Sequence, residues 1–147
     1  MMSKNYNGIL YFTDNDKISM KSFIVHRDNN LAISSISFEL STTWGEDPSL
    51  WTVDSVLVRQ KDESFISPRT YSKCKERGEC PHCKDYQCII KLTKVKFENE
   101  GEVLIEGTWW EINDGEYTFS GELQLNSLFS SSQDQKEIVS KKAFSSL

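Results

Sequence analysis

The residues best equipped for chemistry are four cysteines in one short segment. Cys74-Lys-Glu-Arg-Gly-Glu-Cys80-Pro-His-Cys83-Lys-Asp-Tyr-Gln-Cys88 holds every cysteine of the chain. Cys80 and Cys83 form a Cys-x-x-Cys turn, a spacing that lets two thiolates grip one ion from a tight loop. Cys74 and Cys88 flank it and complete a tetrahedral four-thiolate set. Soft thiolates in closed tetrahedral geometry suit zinc. The expected cofactor is therefore a structural zinc on Cys74, Cys80, Cys83 and Cys88, stapling a loop that has no core of its own. The intervals of five, two and four residues are not those of paired Cys-x-x-Cys knuckles. Two disulfides, an iron–sulfur cluster and free thiols stay open as alternatives. His82, between Cys80 and Cys83, is awkwardly placed to replace either.

The tetrapeptide Cys80-Pro81-His82-Cys83 resembles the redox motif of disulfide-oxidising thioredoxin-like proteins. In that family the motif follows a strand and opens a helix, whose N-terminus lowers the first thiol's pKa. Here it stands among charged loop residues with no βαβ pattern around it, so the resemblance stops at four residues and implies no shared fold.

Other catalytic signals are poor. The two histidines are His26, in a turn, and His82, inside the cysteine segment. No Gly-x-Ser-x-Gly, phosphate-binding loop or His-Glu-x-x-His occurs. A four-thiolate zinc leaves no open coordination position. The expectation is a protein that is not an enzyme.

Charge is distributed unevenly. Residues 59–96 carry ten Lys/Arg against five Asp/Glu, and the remaining positions carry seven against seventeen. The cysteine segment thus sits in a basic stretch of an acidic chain, and its basic side chains offset the thiolates. General nucleic-acid binding is disfavoured by the overall charge of −5 and by the lack of aromatics interleaved with the lysines. The acidic remainder suits a basic protein partner.

The elements that must position these residues read as strands. Asn99-Glu100-Gly101 and Asn113-Asp114-Gly115 each look like a three-residue hairpin loop with glycine at a positive-φ position. They divide a meander of strands at 89–98, 102–112 and 116–125. A loop of 99–101 pairs Phe97 with Val103 and Val95 with Ile105, and the apolar phase slips upstream, which predicts a bulge near Thr93-Lys94. A loop of 113–115 pairs Trp109 with Phe119, Gly107 with Gly121 and Ile105 with Leu123. Gly107 opposite Gly121, flanked by Trp109 and Phe119, would leave a gap on the buried face. Another ring could fill it, or it could be a ligand pocket floored by backbone, which makes Gly107, Trp109, Phe119 and Gly121 candidate ligand-binding residues.

Upstream, Gly8–Phe12, Ile18–Val25 with a phase change near Ser22, Leu31–Ser41 and Trp51–Arg59 complete about seven strands. The fold class is all-β, mainly antiparallel, a single domain over 1–147. A barrel-like meander is favoured over a sandwich, because consecutive strands keep joining by short turns. Residues 60–88 form a cysteine-rich loop insert. Residues 127–147 form a polar tail or a short helix, opened by Ser132 with Gln135 as a capping box. No apolar run reaches membrane-spanning length and no signal-peptide pattern opens the chain, so a cytoplasmic setting with reduced thiols is expected. The function expected is a non-enzymatic protein-interaction module of the inhibitor or immunity-protein class. The alternative is a carrier of a small apolar ligand inside an aromatic-lined barrel.

Overall fold

A computed structural model describes residues 4–14, 16–43, 50–67, 70–75 and 85–126. The strands are β1 (Lys4–Phe12), β2 (Lys17–Arg27), β3 (Ile33–Thr42), β4 (Trp51–Arg59), β5 (Phe65–Ile66), β6 (Thr70–Cys74), β7 (Tyr86–Asn99), β8 (Glu102–Glu111) and β9 (Gly115–Leu125). All pairings are antiparallel. The order runs β3-β2-β1-β9-β8-β7-β5-β4, and β3 pairs with β4 to close the ring. β5 and β6 both lie between β4 and β7, so nine strands fill eight barrel positions. Seven strands were expected. The two short ones fall within 60–88, where β5 is only two residues long and the inward residues of β6 are Thr70, Ser72 and Cys74, so apolar periodicity is weak.

Alternation places one face of each strand inside. The fully enclosed side chains include Trp109, Phe23, Leu10, Ile36, Leu40, Leu57, Ile105 and Leu123. A closed barrel of eight positions has an interior just wide enough for such side chains to fill. The space left among Leu10, Phe23, Leu57, Ile105, Trp109 and Phe119 is about 10 Å³, about one water molecule on the usual scale. The barrel is a packed core rather than a container.

The expected bulge near Thr93-Lys94 is present, as the β7–β8 register shifts between Leu92 and Lys94. Phe97 pairs with Val103 and Val95 with Ile105, as the sequence implies. The phase change near Ser22 is also present, between Met20 and Ser22. There the buried Asn5 side chain accepts hydrogen bonds from the Phe23 N–H at 3.0 Å and the Ser22 hydroxyl at 3.1 Å, satisfying groups beside the interrupted ladder.

The β8–β9 hairpin needs a correction. Trp109 pairs with Tyr117, Gly107 with Phe119, and Ile105 with Gly121. The loop is 112–114, not 113–115. Asp114 N–H bonds to the Glu111 carbonyl at 3.0 Å, and Asn113 takes φ 68° before Gly115 at φ 97°. Left-handed backbone at both Asn113 and Gly115, with Asp114 between them, accompanies a turn one residue nearer the N-terminus. Pairing moves by two, so the inward and outward faces survive while every partner changes. The β7–β8 turn differs again. Gly101 is not at positive φ, and the Asn99 side chain closes the loop, accepting from Gly101 N–H at 2.8 Å and donating to Glu102 at 3.0 Å.

Candidate functional site

The up-and-down order divides the connections between two ends. One end carries the β2–β3, β4–β5 and β7–β8 turns and the start of β1. The other carries the β1–β2 and β8–β9 turns, together with Thr43, Leu50, Lys75 and Asp85, which bracket the two longest connections. Lys75 N–H bonds to the Leu50 carbonyl at 2.8 Å, tying those connections together, and Ile112 N–H bonds to the Gln87 carbonyl at 3.0 Å.

At this second end a cavity of about 490 Å³ opens. Its apolar wall comes from Phe12, Trp51, Tyr86, Trp109 and Tyr117, and Asp14, Asp16, Glu111 and Asp114 also line it. Phe12 meets Trp109 edge-on at 5.9 Å, and Trp51 leans on Tyr86 at 5.6 Å. Among the described lining residues there are four carboxylates and no Lys, Arg or His.

The electrostatics follow from this composition. Glu111 accepts a hydrogen bond from the Trp109 indole at 3.1 Å. Burial raises its pKa, the indole bond opposes the rise, and the Asp114 charge adds to it. The Tyr117 phenol is also raised, first by its hydrogen bond to Asp114 and then by the charges of Asp114, Asp14 and Glu111. Glu111 resists negative charge chiefly because it is buried, and Tyr117 chiefly because of its bond to Asp114 and the carboxylates around it.

Of the expected zinc ligands, Cys74 and Cys88 lie within the described residues, and Cys80 and Cys83 lie outside them. Cys74 ends β6 opposite Trp51. Cys88 sits in β7 between Thr70 and Glu111. Thr70 and Cys74 are four residues apart on one strand, about 13 Å at the usual rise. Two thiolates on one zinc must each lie about 2.3 Å from it, so the strands do not bring Cys74 and Cys88 to a shared ion. Cys88 is fully enclosed in the core, and burial, with a smaller push from Glu111, raises its thiol to about 12. No group of three or more metal-ligating side chains occurs among the described residues.

The candidate ligand residues also separate. Gly107 and Gly121 do not face each other. A Cβ on Gly107 would collide with the Lys91 carbonyl, and one on Gly121 would lie 2.8 Å from both Ile105 and Leu10. These glycines make room for neighbouring strands and side chains, and no ligand gap lies between them. Phe119 belongs to the packed interior, against Phe12 at 5.4 Å. Trp109 alone of the four reaches the mouth cavity.

The carboxylates of the mouth escaped the sequence reading because turn aspartates look alike whether or not they share a cavity. The closing of the barrel brings Asp14 and Asp16 of one turn beside Asp114 of another. The expected C-terminal helix over 127–147 lies outside the described residues. No helix among the described residues is long and apolar enough to cross a membrane. Comparison with protein-family models, curated proteins and solved structures finds no match.

Proposed function

We propose that the chain is a non-enzymatic protein-interaction module that presents the acidic, aromatic-walled mouth to a basic partner, in the manner of an inhibitor or immunity-type protein. The observation that carries this reading is the cavity of about 490 Å³ lined by four carboxylates and five aromatic rings with no described cation among them. Aromatics supply rigid contact area and carboxylates steer a positively charged partner. The packed interior disfavours a carrier that encloses its ligand, since only about 10 Å³ is left inside. His26 supports a structural role, with Nε2 2.9 Å from the Ser37 hydroxyl, away from the mouth.

Zinc is part of the proposal. The thiolates proposed for it are Cys74, Cys80 and Cys83, and a closed structural site needs a fourth ligand besides them, since Cys88 serves the core. A metal there would brace the connection that leaves β6 and returns at β7, beside the mouth. Compartment follows from the same chemistry, since free thiols and thiolate zinc both suit a reducing cytoplasm.

The test is affinity capture from the native source with paired variants. Neutralising the mouth as Asp14→Asn/Asp16→Asn/Asp114→Asn should abolish capture of the partner, and Lys4→Gln/Arg27→Gln at the opposite end should leave it. Loss with the second variant, or indifference to the first, would overturn the assignment.

A further inference from the structure

The end of the barrel opposite the acidic mouth holds a second cavity, of about 620 Å³. Tyr6 and Phe97 meet edge-on at 6.0 Å within it, and Lys4, Arg27 and Leu31 line it with them. The Arg27 guanidinium carbon lies 5.2 Å from the centre of the Phe97 ring, and its Nη1 donates to the Leu31 carbonyl at 2.9 Å. Ring and guanidinium are thus matched to each other, but the positive charge is not matched to a carboxylate. Neither Arg27 nor Lys4 forms an ion pair among the described residues. Glu100 also lines the cavity, so two cations and one carboxylate leave one net positive charge. Leu31 is a second, independent sign. It holds φ 67°, a conformation an L-residue adopts at a cost, and its side chain is 71% exposed. The turn fixes it there, with Asp28 accepting from the N–H groups of Asn30 at 2.8 Å and Ala32 at 3.1 Å.

We infer that this cavity binds a small organic carboxylate with an apolar body, at a site separate from the acidic mouth. The guanidinium is a planar fork of five N–H donors, and Arg27 is already held in place by the Phe97 ring and the Leu31 carbonyl. A carboxylate matches that fork with paired charge-assisted hydrogen bonds, and Lys4 adds a second cation. A monoanion balances the single net charge of the lining. A doubly charged, strongly hydrated group such as a phosphate would need more donors than this wall supplies. The apolar body lies against Tyr6 and Phe97, and the exposed Leu31 side chain gains cover from it. A concave space of about 620 Å³ falls within the range of small-molecule sites, which favours a free carboxylate over the acidic surface of a protein.

Octanoate, short enough to stay monomeric, tests this when titrated into the full chain and followed by calorimetry and backbone amide shifts. Binding should saturate, with shifts at Arg27, Leu31 and Asn99 and none at Glu111 to Asp114. Octan-1-ol, which keeps the apolar body without the charge, should bind at least five-fold more weakly, and octylammonium at least ten-fold more weakly. Acetate should not bind detectably. Lys4→Gln and, independently, Arg27→Gln should each weaken octanoate at least three-fold and leave octan-1-ol unchanged, whereas Lys94→Gln on the outer face should alter neither. Leu31→Asn is the sharpest variant. Asparagine tolerates positive φ better than leucine, so the variant should fold at least as well as the parent and still lose octanoate affinity at least three-fold. Absence of saturable octanoate binding, equal binding of octanoate and octan-1-ol, or indifference to both cation variants would overturn the inference. Tighter binding of the acidic peptide acetyl-Leu-Glu-Leu-amide than of octanoate would overturn the small-molecule assignment. None of these outcomes bears on capture of a basic partner at the other mouth.

Discussion

The two mouths of the barrel are built from the same parts and left in different states. At one, Tyr6 and Phe97 are met by the chain's own Arg27, and Lys4 joins the lining of a cavity of about 620 Å³. At the other, Trp51, Tyr86 and Trp109 stand with Asp14, Asp16, Glu111 and Asp114 and no described cation. The first end has its aromatic and cationic groups matched internally. The second gathers carboxylates around an apolar floor. The difference teaches that neither aromatics nor charge alone marks a recognition surface.

The largest expected effect concerns the floors of the two mouths. Trp109 is 2% exposed and Phe97 is only partly buried. Trp109→Ala should cost about 3–5 kcal/mol in denaturant unfolding, and Phe97→Ala clearly less. Equal losses would mean that the acidic mouth is no better rooted in the core than its opposite.

The cysteines give the next contrast. About one zinc per chain is expected by elemental analysis of the reduced protein, following the thiolate chemistry of structural sites. Cys80→Ser should lose the metal while sparing the barrel. Cys88→Ala should keep the metal and destabilise by about 1–3 kcal/mol, the usual range for a core truncation. Metal loss with Cys88→Ala would place that thiol back in the site and break the separation of about 13 Å derived from strand rise.

Turn chemistry separates the ends by a smaller margin. Gly115 holds φ 97°, so Gly115→Val should destabilise by more than about 1 kcal/mol. Gly101 is not at positive φ, and an added Cβ would meet only the Asn99 side chain at 3.6 Å. Gly101→Ala should stay within about 0.5 kcal/mol. Similar melting curves for the two variants would contradict the difference between the turns.

The smallest effect is a pH dependence. Burial raises the Glu111 pKa in the folded protein, so its contribution to stability is present in acid and is lost as pH rises through the folded pKa. Glu111→Gln keeps an acceptor for the Trp109 indole and removes the charge. It should melt above the parent at neutral pH, with the gap closing as the pH falls. A gap that widens in acid would reverse the sign assigned to burial.

Most of the fold was legible from alternation and turns. The Trp51–Arg59 strand, the bulge beside Thr93 and the inward set of β9 follow from period-two patterning, because the barrel interior admits only one face. The β8–β9 register was not legible to within two residues, since a loop of 112–114 and one of 113–115 place the same side chains inside. β5 was hidden because it is two residues long, and β6 because Thr70 and Ser72 face inward; these and Ser67, just after β5, are buried, and small polar side chains do not read as core. Ser67 meets the need with a bond from Ile90 N–H at 2.9 Å, and Thr70 bonds with the Ser55 hydroxyl. Ser72 is left buried without a partner. Of the mouth, the sequence singled out Trp109. It hid the acidic mouth because the long-range β1–β9 pairing makes the β1–β2 and β8–β9 turns neighbours, and no local pattern encodes that.

Chemical-shift mapping of the full chain with a short oligolysine peptide tests the central claim, the acidic mouth as the surface for a basic partner, most directly, because both mouths are read in one spectrum. The account predicts saturable shifts of the Trp51 and Trp109 indole N–H signals and of the backbone at Glu111 to Asp114, with Tyr6, Arg27 and Phe97 unmoved. Shifts at Tyr6, Arg27 and Phe97, or shifts scattered over both ends that vanish in moderate salt, would contradict it.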